Sequence, residues 1–213
     1  MNEIIKRVYN YSEHKSSDKP NSISATGLLG SLYQGKLTLA KAERDDSLIA
    51  DKFKRSSTLG SAFHAWAEKA LQDDPNIHCE IYSEIDYDNY VLSGSCDVLQ
   101  YNADTSKWTI MDFKTGYGKK RTDDQLDKDM KQMSIYRWML QDRYYIEDTA
   151  YSLFISQSNN EQEAYELELM SLEKTQEFID DRLFAIDQNT RVDCFDAKYI
   201  PCNYCDKVCE HRK

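Results

Sequence analysis

No stretch of this sequence approaches the roughly 20 consecutive apolar residues that cross a bilayer. The opening residues, Met1-Asn-Glu-Ile-Ile-Lys-Arg, lack the apolar core and small-residue cleavage site of a secretory signal, so an intracellular, cytoplasmic protein of a bacterial or phage-infected cell is expected. The pattern Gly-x-x-x-x-Gly-Lys-Ser/Thr occurs nowhere, so any unwinding of a duplex must come from a partner. Internal repeats and low-complexity tracts are absent as well. There is no excess of basic residues: 27 Lys and Arg stand against 37 Asp and Glu, a formal net charge of −10. That balance argues against a surface coated for nucleic acid, though a narrow basic channel on an acidic body is compatible with it. One window departs from the average. Between Lys114 and Arg137 seven basic residues (Lys114, Lys119, Lys120, Arg121, Lys128, Lys131 and Arg137) face four acids (Asp123, Asp124, Asp127 and Asp129). Taken alone this is a solvated helix face; its position directly after the candidate reaction residues gives it interest.

The 213 residues, 40% hydrophobic and 30% charged, suffice for one real core in a globular chain. Tyr11 to Ser24 is polar and reads as a loop, and Ser24 to Tyr33 as a short helix. A stronger helix begins near Ser56 or Ser57 as cap, with Leu59, Phe63, Trp66, Ala67, Ala70 and Leu71 on one apolar face. Three strand-like runs follow, Cys79–Tyr87, Tyr90–Tyr101 and Lys107–Lys114, joined closely enough for an antiparallel meander. A helix from Asp123 to Arg143, strands over Ala150–Ser156 and Glu163–Met170, and a helix from Ser171 to Gln188 complete the order. This predicts an α/β (α+β) fold: a central mixed sheet flanked by helices. The expected organisation is an N-terminal helical and loop segment over residues 1–55 that packs on the core, a core over 56–190, and a cysteine-rich tail over 191–213.

Two acids interrupt apolar strands: Asp97 in Gly94-Ser-Cys-Asp97 and Asp112 in Ile110-Met-Asp-Phe-Lys114. A carboxylate in a sheet is costly unless paired or bound to a cation. Strand alternation puts Asp112 and Lys114 on one face and Phe113 on the other. Two carboxylates and an ammonium together suit phosphodiester hydrolysis. Carboxylates hold a hard divalent cation such as Mg²⁺ or Mn²⁺, which polarises the phosphate and acidifies water, while the lysine offsets charge in the transition state. Asp-x-Lys alone is a common surface ion pair, and its companions carry the case.

Those companions are Gly60-Ser-Ala-Phe-His64 on the preceding helix, Gly94-x-x-Asp97, Asp112-x-Lys114 followed by Thr115-Gly116, and Gln132-Met-Ser-Ile-Tyr136 on the next helix. In this order the chain resembles the RecB-type branch of the PD-(D/E)XK nucleases, which includes the CRISPR-associated adaptation nucleases. The resemblance implies a restriction-endonuclease-like core. It makes His64, Asp97 and Asp112 metal ligands together with the backbone carbonyl of Phe113, and gives Lys114 the catalytic lysine's place. Gln132 and Tyr136 would support that lysine or contact DNA. Glu84 resembles an acidic position often found on the first strand. Lys119, Lys120 and Arg121, after a Gly-Tyr-Gly hinge, are the expected phosphate contacts along with Tyr136.

The tail carries Cys202, Cys205 and Cys209, three thiolates within eight residues and dense enough to hold one metal centre. The resemblance implies a four-iron, four-sulfur cluster, which in relatives uses a further cysteine far upstream. No cysteine precedes Cys79 here, so the fourth ligand would be Cys194, Cys79 or His211. A Cys₃His zinc site with His211 is the alternative. The expected function is a divalent-metal-dependent deoxyribonuclease of DNA recombination and repair. It would be an exonuclease on single-stranded DNA or DNA ends, working with a separate helicase or recombination protein. The competing expectation is a nucleic-acid-binding or assembly module with a nuclease fold and a structural zinc tail. A sequence-specific endonuclease is disfavoured by the lack of a target-reading domain.

Overall fold

A computed structural model of the chain describes residues 17–40, 51–159 and 161–188, with backbone alone for Tyr33 and residues 51–57. Cys194, Cys202, Cys205, Cys209 and His211 lie outside the described residues.

The sheet grows from a hairpin. Asp88 takes a φ of 49°, a left-handed conformation that Asp tolerates, and turns Ile77–Tyr87 (β2) back into Tyr90–Asn102 (β3). Tyr87 faces Tyr90, and the pairing runs to Ile77 against Gln100. Lys107–Gly116 (β4) returns antiparallel to β3, which completes the predicted meander. Ile146–Ser156 (β5) lies parallel to β4, so a crossover is required, and the helix Asp123–Leu140 (α4) supplies it. Gln162–Glu168 (β6) closes the edge antiparallel to β5.

Ser22–Ser24 (β1) is a strand where the sequence reads as loop; it pairs parallel with Val91–Ser93 of β3. Three polar-flanked residues give no period, and their burial comes only from the neighbour. The result is a six-stranded mixed sheet flanked by helices, the expected fold class. Because β2 follows β3 from Tyr90 to Gln100 on one side, β1 and β4 share the other: β1 as far as Ser93, β4 from Val98. Residues 94–97 oppose neither. This fork in the sheet positions the site.

α4 starts at a capping box in which the Thr122 side chain and that of Gln125 satisfy each other's backbone N–H groups. It ends at Leu140, three residues before the expected Arg143. Met133, Ile135, Met139 and Leu140 are buried, and Leu172–Gln188 (α5) covers them with Ile179, Leu183 and Ile186. The predicted N-terminal helix is two: Ala25–Leu28 (α1), capped by Ser24, and Leu32–Leu39 (α2), capped by Ser31. The second cap oxygen takes the Gln34 N–H at 3.1 Å and restarts the helix after the Leu29-Gly30 break.

Asp51–Leu71 (α3) begins before Ser56 and Ser57, which are therefore helix interior rather than caps. It lies on the sheet face opposite α4, since Phe63 meets the Phe113 ring at 5.3 Å while Lys114 turns to α4. Of its predicted apolar face only Ala67 is buried; Leu59 remains 52% and Trp66 64% exposed. The sheet gives this helix one contact surface, and no described element covers its other side.

Candidate metal and reaction site

At the fork the ladder is replaced by side chains. The Phe113 N–H, beyond the end of the β3–β4 ladder, donates to the Asp97 side chain, at Oδ2, at 2.7 Å. His64 approaches from α3, with Nε2 3.1 Å from the Phe113 carbonyl oxygen. Its other nitrogen, Nδ1, turns to carboxylates: Asp97 at 3.5 Å and Glu80 at 3.8 Å. Donor atoms of His64, Glu80 and Asp97 lie within 4.8 Å of one another. Gly60 admits the helix to this position, because a Cβ there would come within 3.2 Å of Thr115 Oγ1 at the end of β4.

The second half of the site comes from the opposite face. Asp112 is 2% exposed and its Oδ2 lies 2.6 Å from Lys114 Nζ. That contact is too oblique for a hydrogen bond, so Oδ2 is a buried oxygen with a charge partner and no directed donor. Lys114 Nζ donates to Gln132 Oε1 at 2.9 Å, and Gln132 Nε2 donates to the Tyr136 hydroxyl at 2.7 Å. Tyr136 packs on Gly94, where a Cβ would stand 2.7 Å from its ring. Asp97 and Asp112 thus stand on opposite faces of the sheet at the fork, near enough for the Asp97 charge to act on Asp112.

The electrostatics fit a place that attracts positive charge. Desolvation would lower the His64 pKa, but its contacts with Asp97 and Glu80 and the charges of Asp97 and Asp112 outweigh it and raise it to about 10. Burial pushes Asp112 up; Lys114 opposes, and the Asp97 charge adds to the rise. Burial would lower Lys114, yet Asp112 more than restores it, so the ammonium persists. The donor set of His64, Glu80 and Asp97, an imidazole nitrogen and carboxylate oxygens, suits a divalent cation such as Mg²⁺ or Mn²⁺.

His64, Asp97, Asp112, Phe113, Lys114, Gln132 and Tyr136 thus come together as one connected group. Glu80 joins them without having been singled out in the sequence. Glu84 does not: it pairs with Lys19 at 2.9 Å and accepts from Tyr82 at 2.9 Å, away from His64. Arg121 and Tyr136, expected as nucleic-acid contacts, are both largely buried and engaged within the protein. The Arg121 side chain is 12% exposed and grips the buried Asp129 through both carboxylate oxygens, at 2.6 and 2.7 Å. Tyr136 is 6% exposed with its hydroxyl taken by Gln132, and burial followed by the Asp112 charge keeps it protonated. Lys119 and Lys120 are exposed and form no ion pair with a described residue. Cys79 lies on β2 beside Glu80, where burial and the charges of Glu68, Glu80 and Asp97 raise its thiol.

Residues 75–210 match the PD-(D/E)XK nuclease superfamily. No curated protein is significantly similar in sequence. Among solved structures, that of SSO0001 superposes with a TM-score of 0.65 at 19% identity, covering 99% of this chain and 95% of that one. A protein from Eubacterium rectale assigned as an exonuclease superposes with a TM-score of 0.50 at 12% identity, over 83% and 86% of the two chains. At these identities the likeness concerns the fold.

Proposed function

We propose, from the premise that this chain belongs to the PD-(D/E)XK nuclease superfamily, that it is a divalent-metal-dependent deoxyribonuclease acting as an exonuclease on single-stranded DNA or DNA ends. The observation that carries this reading is the convergence of His64, Glu80 and Asp97 beside the buried Asp112–Lys114 pair. His64, Asp97, Asp112 and Glu80 would hold a Mg²⁺ or Mn²⁺ ion, with the Phe113 carbonyl in reach once His64 Nε2 releases it. Such an ion supplies the charge that polarises a phosphoryl oxygen and acidifies an attacking water. Lys114 holds a proton throughout and faces the phosphate's developing charge; Gln132 fixes its direction, and Tyr136 in turn fixes Gln132.

No helix among the described residues is long and apolar enough to cross a membrane. The same reading extends to a cytoplasmic role in recombination or repair beside a helicase. The tail remains a proposal from sequence: Cys202, Cys205 and Cys209, with Cys194 or His211, hold either a four-iron, four-sulfur cluster or zinc. Iron, sulfide and zinc analysis of anaerobically purified protein separates the two.

The test of the main reading is degradation of end-labelled oligonucleotide by purified protein with Mn²⁺, Mg²⁺ or EDTA. Wild type should cleave only with metal, and Asp97→Ala and Asp112→Asn should be inactive while keeping wild-type circular dichroism. Near-normal cleavage by either variant, or cleavage in EDTA, would sink the assignment. An intact oligonucleotide under all conditions would favour the binding-module reading.

A further inference from the structure

β4 delivers more than Lys114 to the mouth of the site. Its pairing with β5 holds as far as Gly116 against Ser156, and the next residue is Tyr117, 59% exposed. Tyr117 thus follows Lys114 by three residues of chain, at most ~10 Å of extended backbone. The loop it opens is short and fixed at both ends. On the strand side the Gln157 N–H donates to the Gly116 carbonyl at 2.7 Å and the Gln157 side chain to Thr115 Oγ1 at 3.2 Å. On the helix side the Arg121 N–H donates to the Tyr165 hydroxyl at 3.1 Å, and the Arg121 guanidinium is clamped on Asp129. Between the anchors stand Lys119 and Lys120, both exposed.

An exposed ring by itself calls for no explanation. A ring on an anchored loop, next to two exposed lysines that form no ion pair among the described residues and three residues from Lys114, is a different arrangement. Aromatic faces accept any unpaired base, and neighbouring ammonium groups follow the backbone of the same strand. A paired base keeps its face stacked inside the duplex and offers nothing to such a ring.

We infer that Tyr117 is a stacking post that holds an unpaired base of a single-stranded nucleic acid beside the reaction site, so that this loop sets the preference for single strands. The inference rests on the nuclease reading only in placing the strand at Lys114. Asp129 and Arg121 serve it as positioning residues, since they keep the post where β4 puts it.

The experiment is fluorescence anisotropy of the full chain in EDTA, with a labelled single-stranded oligothymidylate and a blunt duplex of the same length. Tyr117→Ala should weaken single-strand binding about tenfold, leave duplex binding within twofold, and leave the salt dependence of single-strand binding unchanged. Tyr117→Phe, which keeps the ring, should restore wild-type affinity. A Tyr117→Ala protein that binds single strands like wild type overturns the inference. So does an equal loss on both substrates, or a wild type that binds neither. Cleavage by the same preparations, assayed with Mn²⁺, separates the two ideas. Tyr117-dependent binding without cleavage defeats the nuclease reading and keeps the stacking post, whereas cleavage with Tyr117-independent binding does the reverse.

Discussion

Glu80 has a φ of 49° in the middle of a strand, a conformation that costs a non-glycine residue roughly 1–3 kcal/mol. The distortion is localised: Cys79 and Ile81 on either side keep their ladder partners, Val98 and Cys96. What it achieves is a carboxylate turned to His64 Nδ1 and held by the Ser95 hydroxyl at 3.0 Å. Glu80→Gln keeps the shape and the Ser95 contact but removes the charge. Cation affinity should then fall roughly tenfold or more, read by titration calorimetry with Mn²⁺. An unchanged Mn²⁺ affinity would make Glu80 a strained bystander. The residue was within reach of sequence reasoning. Once Asp88-Asn89 is taken as a two-residue turn with Tyr87 opposite Tyr90, counting back along both strands puts Glu80 across from Asp97. The catalytic candidates were legible because each breaks a local rule, a charge in an apolar strand or a polar residue on a packed helix face. Glu80 sits in a strand that is already mixed and breaks none.

At the scale of elements, regular periods were easy to read and neighbour-imposed structure was not. The meander, α4 and α5 carry their own two- and 3.6-residue patterns. β1 has three residues and exists because β3 offers it an edge, and the apolar stripe of α3 does not reveal that Leu59, Trp66 and Ala70 stay exposed. Arg121 looked like one more loop cation, since a bidentate partner eight residues along the chain leaves no signature in charge patterning. That pair now carries a prediction. Asp129 is 3% exposed and also accepts the Ser152 hydroxyl at 2.9 Å. Asp129→Ala should cost about 3–5 kcal/mol of unfolding free energy in urea, because it leaves a largely buried guanidinium unpaired. Pairing it with Arg121→Met should recover much of the loss, and a double variant no better than the single would refute that account. A second element contact titrates. α5 is tied to the hairpin by hydrogen bonds from Tyr87 to Asp180, at 2.6 Å, and from Tyr90 to Asp187. Burial and these acids raise both phenols to about 12. A folded pKa above the unfolded value of ~10 gives stability that is complete below that pH and is lost as pH rises through about 12. Denaturation midpoints should therefore fall between pH 10 and 12, and Tyr87→Phe with Tyr90→Phe should flatten that fall. An equally steep decline in the double variant would assign it to other groups.

For the whole molecule, the net charge of −10 poses the problem that any nuclease reading must solve: an acidic body repels its own substrate at long range. Screening weakens that repulsion as salt rises, whereas local lysine–phosphate contacts are weakened by the same salt through counterion release. The two effects oppose each other, so the overall salt slope of single-strand binding should be shallow for a protein of this size. The local component is separable. Arg121 is committed to Asp129, which leaves Lys119 and Lys120 as the cations of the anchored loop that can meet phosphates. Replacing both with glutamine removes up to two phosphate contacts, each worth about 0.7 in the slope of log affinity against log salt for a single strand. The slope should become less negative by about 1.4, and affinity should fall most at low salt and least at high salt. Anisotropy titrations across a series of salt concentrations measure both quantities. A double variant with the wild-type slope would show that these lysines face solvent rather than substrate. The strand would then have to approach by a surface other than the end of β4, and the stacking role of Tyr117 would have to stand without its charged neighbours.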